Sequence, residues 1–148
     1  MKLSTKSTYG LRAMVNLAIY YRNGSVSISD IAVRENISAA YLEQLLNRLR
    51  RSNLIKSLRG PNGGYVLARR PETITVGDIV RILEGDTAPV YCVTKERSAK
   101  RFCARSKKCV TRGVWEKLAK AIDGVLDSIN LEDLAQQAEK QIKFTSHI

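Results

Sequence analysis

Ser38-Ala39-Ala40-Tyr41-Leu42-Glu43-Gln44-Leu45-Leu46-Asn47-Arg48-Leu49-Arg50-Arg51, followed shortly by Arg59-Gly60-Pro61-Asn62-Gly63-Gly64, is the stretch on which the fold turns. Ser38 is a good N-cap, because its hydroxyl can accept from a backbone N–H of the first helical turn. A helix is expected over Ala39–Arg51. Leu42, Leu45, Leu46 and Leu49 recur at i, i+3, i+4 and i+7, so one side of that helix is apolar and faces a core. The opposite side shows Ala40, Glu43, Gln44, Asn47, Arg48 and Arg51. Residues 54–58 and 65–68 read as two short strands. Between them Pro61 fixes one φ and the glycines permit positive φ, which describes a β-hairpin with an extended tip.

Toward the N-terminus, residues 7–21 read as a helix with Leu11, Met14, Val15, Ala18 and Ile19 in one apolar stripe, ended by Asn23-Gly24. Ser27 begins the next helix with Asp30 in the capping-box position, and Ile28, Ile31 and Ala32 form its buried side. Glu35-Asn36-Ile37 is a short turn before Ser38. Helix, helix, turn, helix and basic hairpin in that order make a winged helix-turn-helix.

Toward the C-terminus, Thr75 caps a helix that runs to about Glu84, with Asp78 in the box position. Composition changes at Gly85-Asp86-Thr87-Ala88-Pro89. A loop of about twenty residues follows, a length that is usually functional or disordered, and it holds all three cysteines, Cys92, Cys103 and Cys109. A long helix is expected from about Val110 to Ile129, with Val114, Leu118, Ala121, Ile122, Val125 and Ile129 along one side. Asn130 caps a last helix from Leu131 to about Gln141, and the tail beyond is expected to fray. The chain is therefore mainly α, with a winged helix-turn-helix over 1–85, a cysteine-bearing loop over 86–110, long C-terminal helices over 111–141 and a flexible tail over 142–148.

Composition narrows the function. The 148 residues are 44% hydrophobic and 26% charged, as in a soluble globular protein. No apolar run approaches the roughly 18 residues of a membrane span, so no membrane partner is expected. The opening residues, Met1 to Thr8, lack the apolar centre of a signal peptide, which leaves the cytoplasm as the default compartment. The net charge is +11 and the isoelectric point about 9.9, a surplus that favours a polyanionic partner. It is concentrated in two places. Arg48, Arg50, Arg51, Lys56, Arg59, Arg69 and Arg70 fall in a stretch with no acidic residue. Lys95, Arg97, Lys100, Arg101, Arg105, Lys107 and Lys108 surround the cysteines, with Glu96 the one acid. There is no phosphate loop, no hydrolase nucleophile elbow and no internal histidine to pair with a cysteine, so neither an enzyme nor a small-molecule substrate is expected.

These features point to double-stranded DNA. A helix fits the major groove, where base edges carry a distinct donor and acceptor pattern. Glu43 can accept from a cytosine amino group and Gln44 can pair with adenine, beside Ala40 and Tyr41. Asn47, Arg48 and Arg51 suit phosphates, as do Ser38 and the helix N-terminus. Arg59, on a backbone thinned by Gly60, Gly63 and Gly64 and carrying Asn62, suits the minor groove, whose width and negative potential an arginine reads. The alternative is a winged helix used only for contacts with another protein.

The run Tyr41 to Arg50, the wing Arg59 to Tyr65 and the opening Met1 through Tyr9 resemble the family of bacterial regulators that contains IscR, NsrR and CymR (the Rrf-two family), with IscR nearest in pattern. The resemblance covers residues 1 to about 140. It implies a homodimer paired through the long helix, one winged domain per operator half-site, and a regulator of transcription, by expectation a repressor. The long helix has its own reason to pair, since its apolar side has little of its own chain to bury against; the alternative is packing on the first helix. In IscR-like and NsrR-like members, three cysteines in this loop hold an iron–sulfur cluster, which implies Cys92, Cys103 and Cys109 as ligands here. By spacing alone the triplet is a weak metal signal. Soft thiolates suit iron–sulfur chemistry, and the surrounding cations are expected to lower thiol pKa values. The fourth ligand departs from the family: Arg112 stands at the IscR histidine position and Thr8 at the NsrR aspartate position, while the one histidine is His147. A hydroxyl, Glu43, Glu96 or a small molecule could serve instead, with 2Fe–2S placed ahead of 4Fe–4S. The resemblance implies targets in iron–sulfur assembly, iron or sulfur metabolism. Two alternatives stay open: a cluster-free thiol switch, and action through a protein partner.

Overall fold

Helix α1, Thr5–Ile19, runs through the middle of the protein, and every other part of the winged domain is arranged around it. The computed structural model describes residues 3–95, 103–105 and 107–147. Ser4 caps α1 by accepting from the Lys6 N–H. Its deepest line is Gly10, Ala13, Met14 and Leu17, while Leu11, Val15 and Ile19 flank the core half-buried. The expected stripe is therefore rotated toward Ala13 and Leu17, because α2, α3, α4, α6 and the hairpin all pack on this one helix.

Helix α2, Ile28–Glu35, is capped by Ser27 accepting from Asp30 N. Asn36 closes it in the left-handed conformation (φ 52°), which Asn tolerates better than most residues. That sharp turn delivers Ser38 as the cap of α3, Ala39–Arg51. Leu42, Leu45, Leu46 and Leu49 are all buried. At about 1.5–3 kcal/mol for each fully buried leucine, they supply the main anchorage of α3 on the domain.

Strand β1, Ile55–Leu58, pairs antiparallel with β2, Gly64–Leu67, in the register Ile55 to Leu67 through Leu58 to Gly64. Val26 adds a one-residue third strand by pairing with Tyr65. After a 3-10 turn at Pro71–Thr73, Thr75 and Asp78 form a reciprocal capping box for α4, Val76–Glu84, as the sequence implies.

Helix α5, Arg112–Ser128, has no fully buried residue. Val114, Leu118 and Val125 are exposed, Ala121 is exposed and Ile122 half-buried. Ile129 leaves the helix for an extended cap whose carbonyl accepts from Val76 N at 2.9 Å, so it joins the α4 junction rather than extending the stripe. Helix α6, Leu131–Thr145, not α5, takes the place against α1, burying Leu131 and Ala135. It also runs past Gln141, since Ile142, Lys143 and Phe144 contain no helix breaker.

Candidate nucleic-acid interface and cysteine loop

The leucine side of α3 fixes which residues face outward. Ser38, Ala40, Glu43, Gln44 and Arg51 are exposed, and Asn47 is half-buried at the edge. Tyr41 is tied down: its hydroxyl lies 3.0 Å from Thr5 Oγ1 and its ring meets Tyr9 edge-on at 6.0 Å, which seats the start of α3 on α1. Arg48, expected at phosphates, is exposed and also reaches back to the domain. Its Nη1 donates to the carbonyl of Leu83 at 2.9 Å, an open acceptor at the end of α4 that the neighbouring guanidinium satisfies.

The hairpin tip carries Arg59, Gly60 and Asn62 in solvent beside that face, with Gly63 half-buried. Gly60 takes a positive φ of 111°, and Gly63 N donates back to Gly60 O at 2.9 Å, so the tip is a tight turn. It is braced from the α1–α2 connection, where Ser25 Oγ donates to Asn62 O at 2.6 Å. Val26 and Tyr65 exchange two backbone hydrogen bonds of 3.0 and 2.8 Å.

The cysteine loop leaves α4 at Gly85, whose φ of 89° turns the chain sharply. Asp86 then accepts from Ala88 N at 2.9 Å, Lys95 N at 2.7 Å and the Thr94 hydroxyl, closing residues 86–95 into a ring. Cys92 sits on this ring in the 3-10 turn Tyr91–Val93. Thr87 and Lys95 dock the ring on α5, donating to the two carboxylate oxygens of Asp123 at 3.0 and 2.9 Å. The Lys95 ammonium, helped by Thr87, holds that carboxyl below the usual range against the opposing pull of burial. Arg81 spans from α4 to Asp127 of α5 with both terminal nitrogens, and the attraction raises its pKa.

At the far end, Cys109 Sγ lies 3.1 Å from the Thr111 hydroxyl. That hydroxyl first, then the backbone N–H groups of Thr111 and Arg112, hold the thiol below its ordinary range, with Arg105 adding less. For Cys109 a neighbouring hydroxyl thus outweighs the cations. Cys92, Cys103 and Cys109 are free thiols, each half-buried. Glu96, Arg97, Lys100 and Arg101 lie outside the described residues.

In kind, three thiols suit an iron–sulfur cluster. Among the described residues, however, no three Cys, His, Asp or Glu side chains converge on a point. Arg112, whose Nε lies 3.0 Å from Glu116, offers a permanent cation rather than a donor pair.

The sequence profile described as "Rrf2: Iron-dependent Transcriptional regulator" matches residues 3–137. The chain belongs to the Rrf2 family. It is 44% identical over 139 residues to the HTH-type transcriptional regulator CymR of Bacillus subtilis, covering 94% of this chain and 93% of CymR. The solved structure of that protein, described as the global cysteine regulator of B. subtilis, superposes with a TM-score of 0.75 over 93% of this chain and 98% of CymR. IscR from T. potens superposes equally well, with a TM-score of 0.75 and 44% identity over 95% of this chain and 90% of IscR. IscR of Photorhabdus laumondii is 35% identical over 139 residues, covering 94% of this chain and 82% of IscR.

The protein is thus an Rrf2-type transcriptional regulator with a DNA-binding winged helix, and not an enzyme. No described helix is long and apolar enough to cross a membrane. Sequence reasoning missed four parts of this Rrf2 site: the Val26 strand behind the wing, the Tyr41 clamp, the Arg48 link and the Asp86 ring. Only the ring had a signal, an Asp directly after a helix-ending Gly, which marks a side chain able to accept from nearby backbone N–H groups.

Proposed function

We propose that this Rrf2-family protein is a homodimeric, sequence-specific repressor whose operator affinity follows the state of its cysteine loop. Its proposed base contacts are Glu43 and Gln44; Ser38, Ala40, Tyr41, Asn47 and Arg51 line the surface around them, and Arg59, Gly60, Asn62 and Gly63 form the minor-groove finger. Support comes from the exposed polar side of α3, held by four buried leucines next to a cationic hairpin. Pairing through α5 is supported by Val114, Leu118 and Val125, which stay 57%, 41% and 61% exposed in one protomer. Iron–sulfur assembly, iron or sulfur metabolism genes are the proposed targets.

The sensor reading rests on where the cysteines lie. They occupy the segment that leaves the DNA-binding unit at Gly85 and returns as α5, so whatever orders this segment acts on both. Cys92, Cys103 and Cys109 would hold an iron–sulfur cluster, 2Fe–2S ahead of 4Fe–4S. When bound, such a cluster supplies a group whose presence depends on iron, sulfide and oxidants. Protein purified anaerobically will be coloured, will contain iron and sulfide, and will change operator affinity when the iron is chelated. A coloured protein whose affinity is indifferent to chelation refutes the gating.

Thiol oxidation without metal is the second reading, favoured by the lowered pKa of Cys109. It predicts colourless, iron-free protein whose operator affinity changes with a mild oxidant and recovers with a reductant.

A further inference from the structure

The last turn of α4 is gripped from two directions. On one side, Arg48 of α3 donates to the Leu83 carbonyl at 2.9 Å. The final carbonyls of a helix lack intrahelical partners, and a cation there also meets the negative end of the helix dipole. On the other side, Glu84 Oε1 accepts from the backbone N–H of Ser4 at 2.8 Å, from the Ser4 hydroxyl, and from the Ser7 hydroxyl at 2.9 Å. The Leu83 side chain is itself buried against Gly10, where a Cβ would fall 2.2 Å from Leu83 Cδ1. Both α1 and α3 are therefore referenced to one turn.

That turn is the root of the cysteine loop. Gly85 follows Glu84, and Asp86, three residues after Leu83, is the hub of the ring that carries Cys92. A displacement of the ring reaches the Leu83 carbonyl through three covalent residues. From there the recognition helix is one hydrogen bond away.

We propose that Arg48 is a positioning residue, which couples the cysteine loop to the recognition helix through the Leu83 carbonyl, and is not a phosphate contact. This rests on the reading that the loop's state sets operator affinity. Arg48 lies in the second half of α3, so its pull tilts the helix about the end that Tyr41 pins to Thr5. Glu43 and Gln44 lie between the pinned and the pulled ends, and a tilt changes their reach into the groove.

The test uses the full chain and a duplex selected by the wild-type protein from a random-sequence pool. Operator affinity is measured across a salt series for wild type, Arg48→Met, the Cys92→Ser/Cys103→Ser/Cys109→Ser triple variant and their combination, with melting curves for each. Arg48→Met is expected to bind roughly tenfold more weakly with an unchanged salt slope. The triple substitution is expected to alter wild-type affinity about fivefold or more, within the usual span of allosteric coupling, but to alter Arg48→Met less than about twofold, the sign of a shared pathway. Arg48→Lys keeps the charge on a shorter stem and is expected to weaken binding as Arg48→Met does, which keeps the comparison open should the methionine variant fail to fold. A salt slope lower by about 0.9, the mark of one lost phosphate contact, overturns the proposal. So does wild-type affinity in Arg48→Lys. A cysteine effect that persists in full in Arg48→Met overturns this proposal alone, whereas equal affinities of wild type and the triple variant overturn the loop-sensing reading with it.

Discussion

Replacing Gly64 by alanine tests how the wing is held. A Cβ at Gly64 would lie 2.4 Å from the Val26 carbonyl oxygen and 2.6 Å from its carbon. Both are backbone atoms, so the neighbour cannot rotate away as a side chain could, and the Ser25–Val26 segment has to lift off β2. Two hydrogen bonds between Val26 and Tyr65 then break, at about 1 kcal/mol net each. Partial exposure of Val26, now 4% accessible, adds about 1 kcal/mol on the scale of burying a valine. The total of about 3 kcal/mol corresponds to a fall in Tm of roughly 6–12 °C for a chain of this size. Circular dichroism melts will show it. Operator binding will weaken as well, because the same segment braces the tip through Ser25 and Asn62. Ser25→Ala is the companion variant; it removes that brace without the clash and is expected to cost no more than about 1 kcal/mol. Gly64→Ala melting within 2 °C of wild type (a limit set by roughly 2–4 °C per kcal/mol) refutes the close-approach reasoning.

Five further outcomes follow from particular residues. Thr111→Val removes the hydroxyl that most favours the Cys109 thiolate, so the pH at which Cys109 is half-maximally alkylated will rise; an unmoved midpoint refutes that assignment. Donors from Ser4 and Ser7 outweigh burial at Glu84 and depress its pKa, so its contribution to stability is present above the ordinary glutamate range and lost as pH falls through the lower folded value; Glu84→Gln will flatten that acid limb of the pH–stability curve. Leu118→Glu with Val125→Glu puts charge on a stripe that is 41% and 61% exposed at those positions in one protomer, so sedimentation will show monomer while the melting curve of the winged domain changes little. Arg59→Ala will lower the slope of log affinity against log salt by about 0.9 if one phosphate-type contact is lost, and Gln44→Ala will erase discrimination worth about 1–3 kcal/mol at a single operator position.

What the sequence made legible divides along a physical line. The helices α2, α3 and α4 could be placed from their caps because Ser27, Ser38 and Thr75 each bond to an N–H three residues on, an interaction that is complete within one turn of chain. The outward side of α3 was legible for the same reason, since four leucines at helical spacing leave one side to solvent wherever the helix packs. The partners of those faces were not. Nothing local in Arg48 distinguishes a phosphate ligand from a donor to Leu83, 35 residues away, and nothing in α5 says that α6 will occupy the groove on α1 first. Charge counting had the same blind spot at Cys109, where the nearest hydroxyl matters more than the cations around it. Long-range polar contacts of this kind converge on α4: its start meets Ile129 and its middle meets Asp127, while its end is held by Arg48 and anchors the N-terminus of α1 through Glu84. The element with the plainest sequence signature, a boxed helix between wing and loop, is thus where hydrogen bonds from α1, α3 and α5 meet at the root of the cysteine segment.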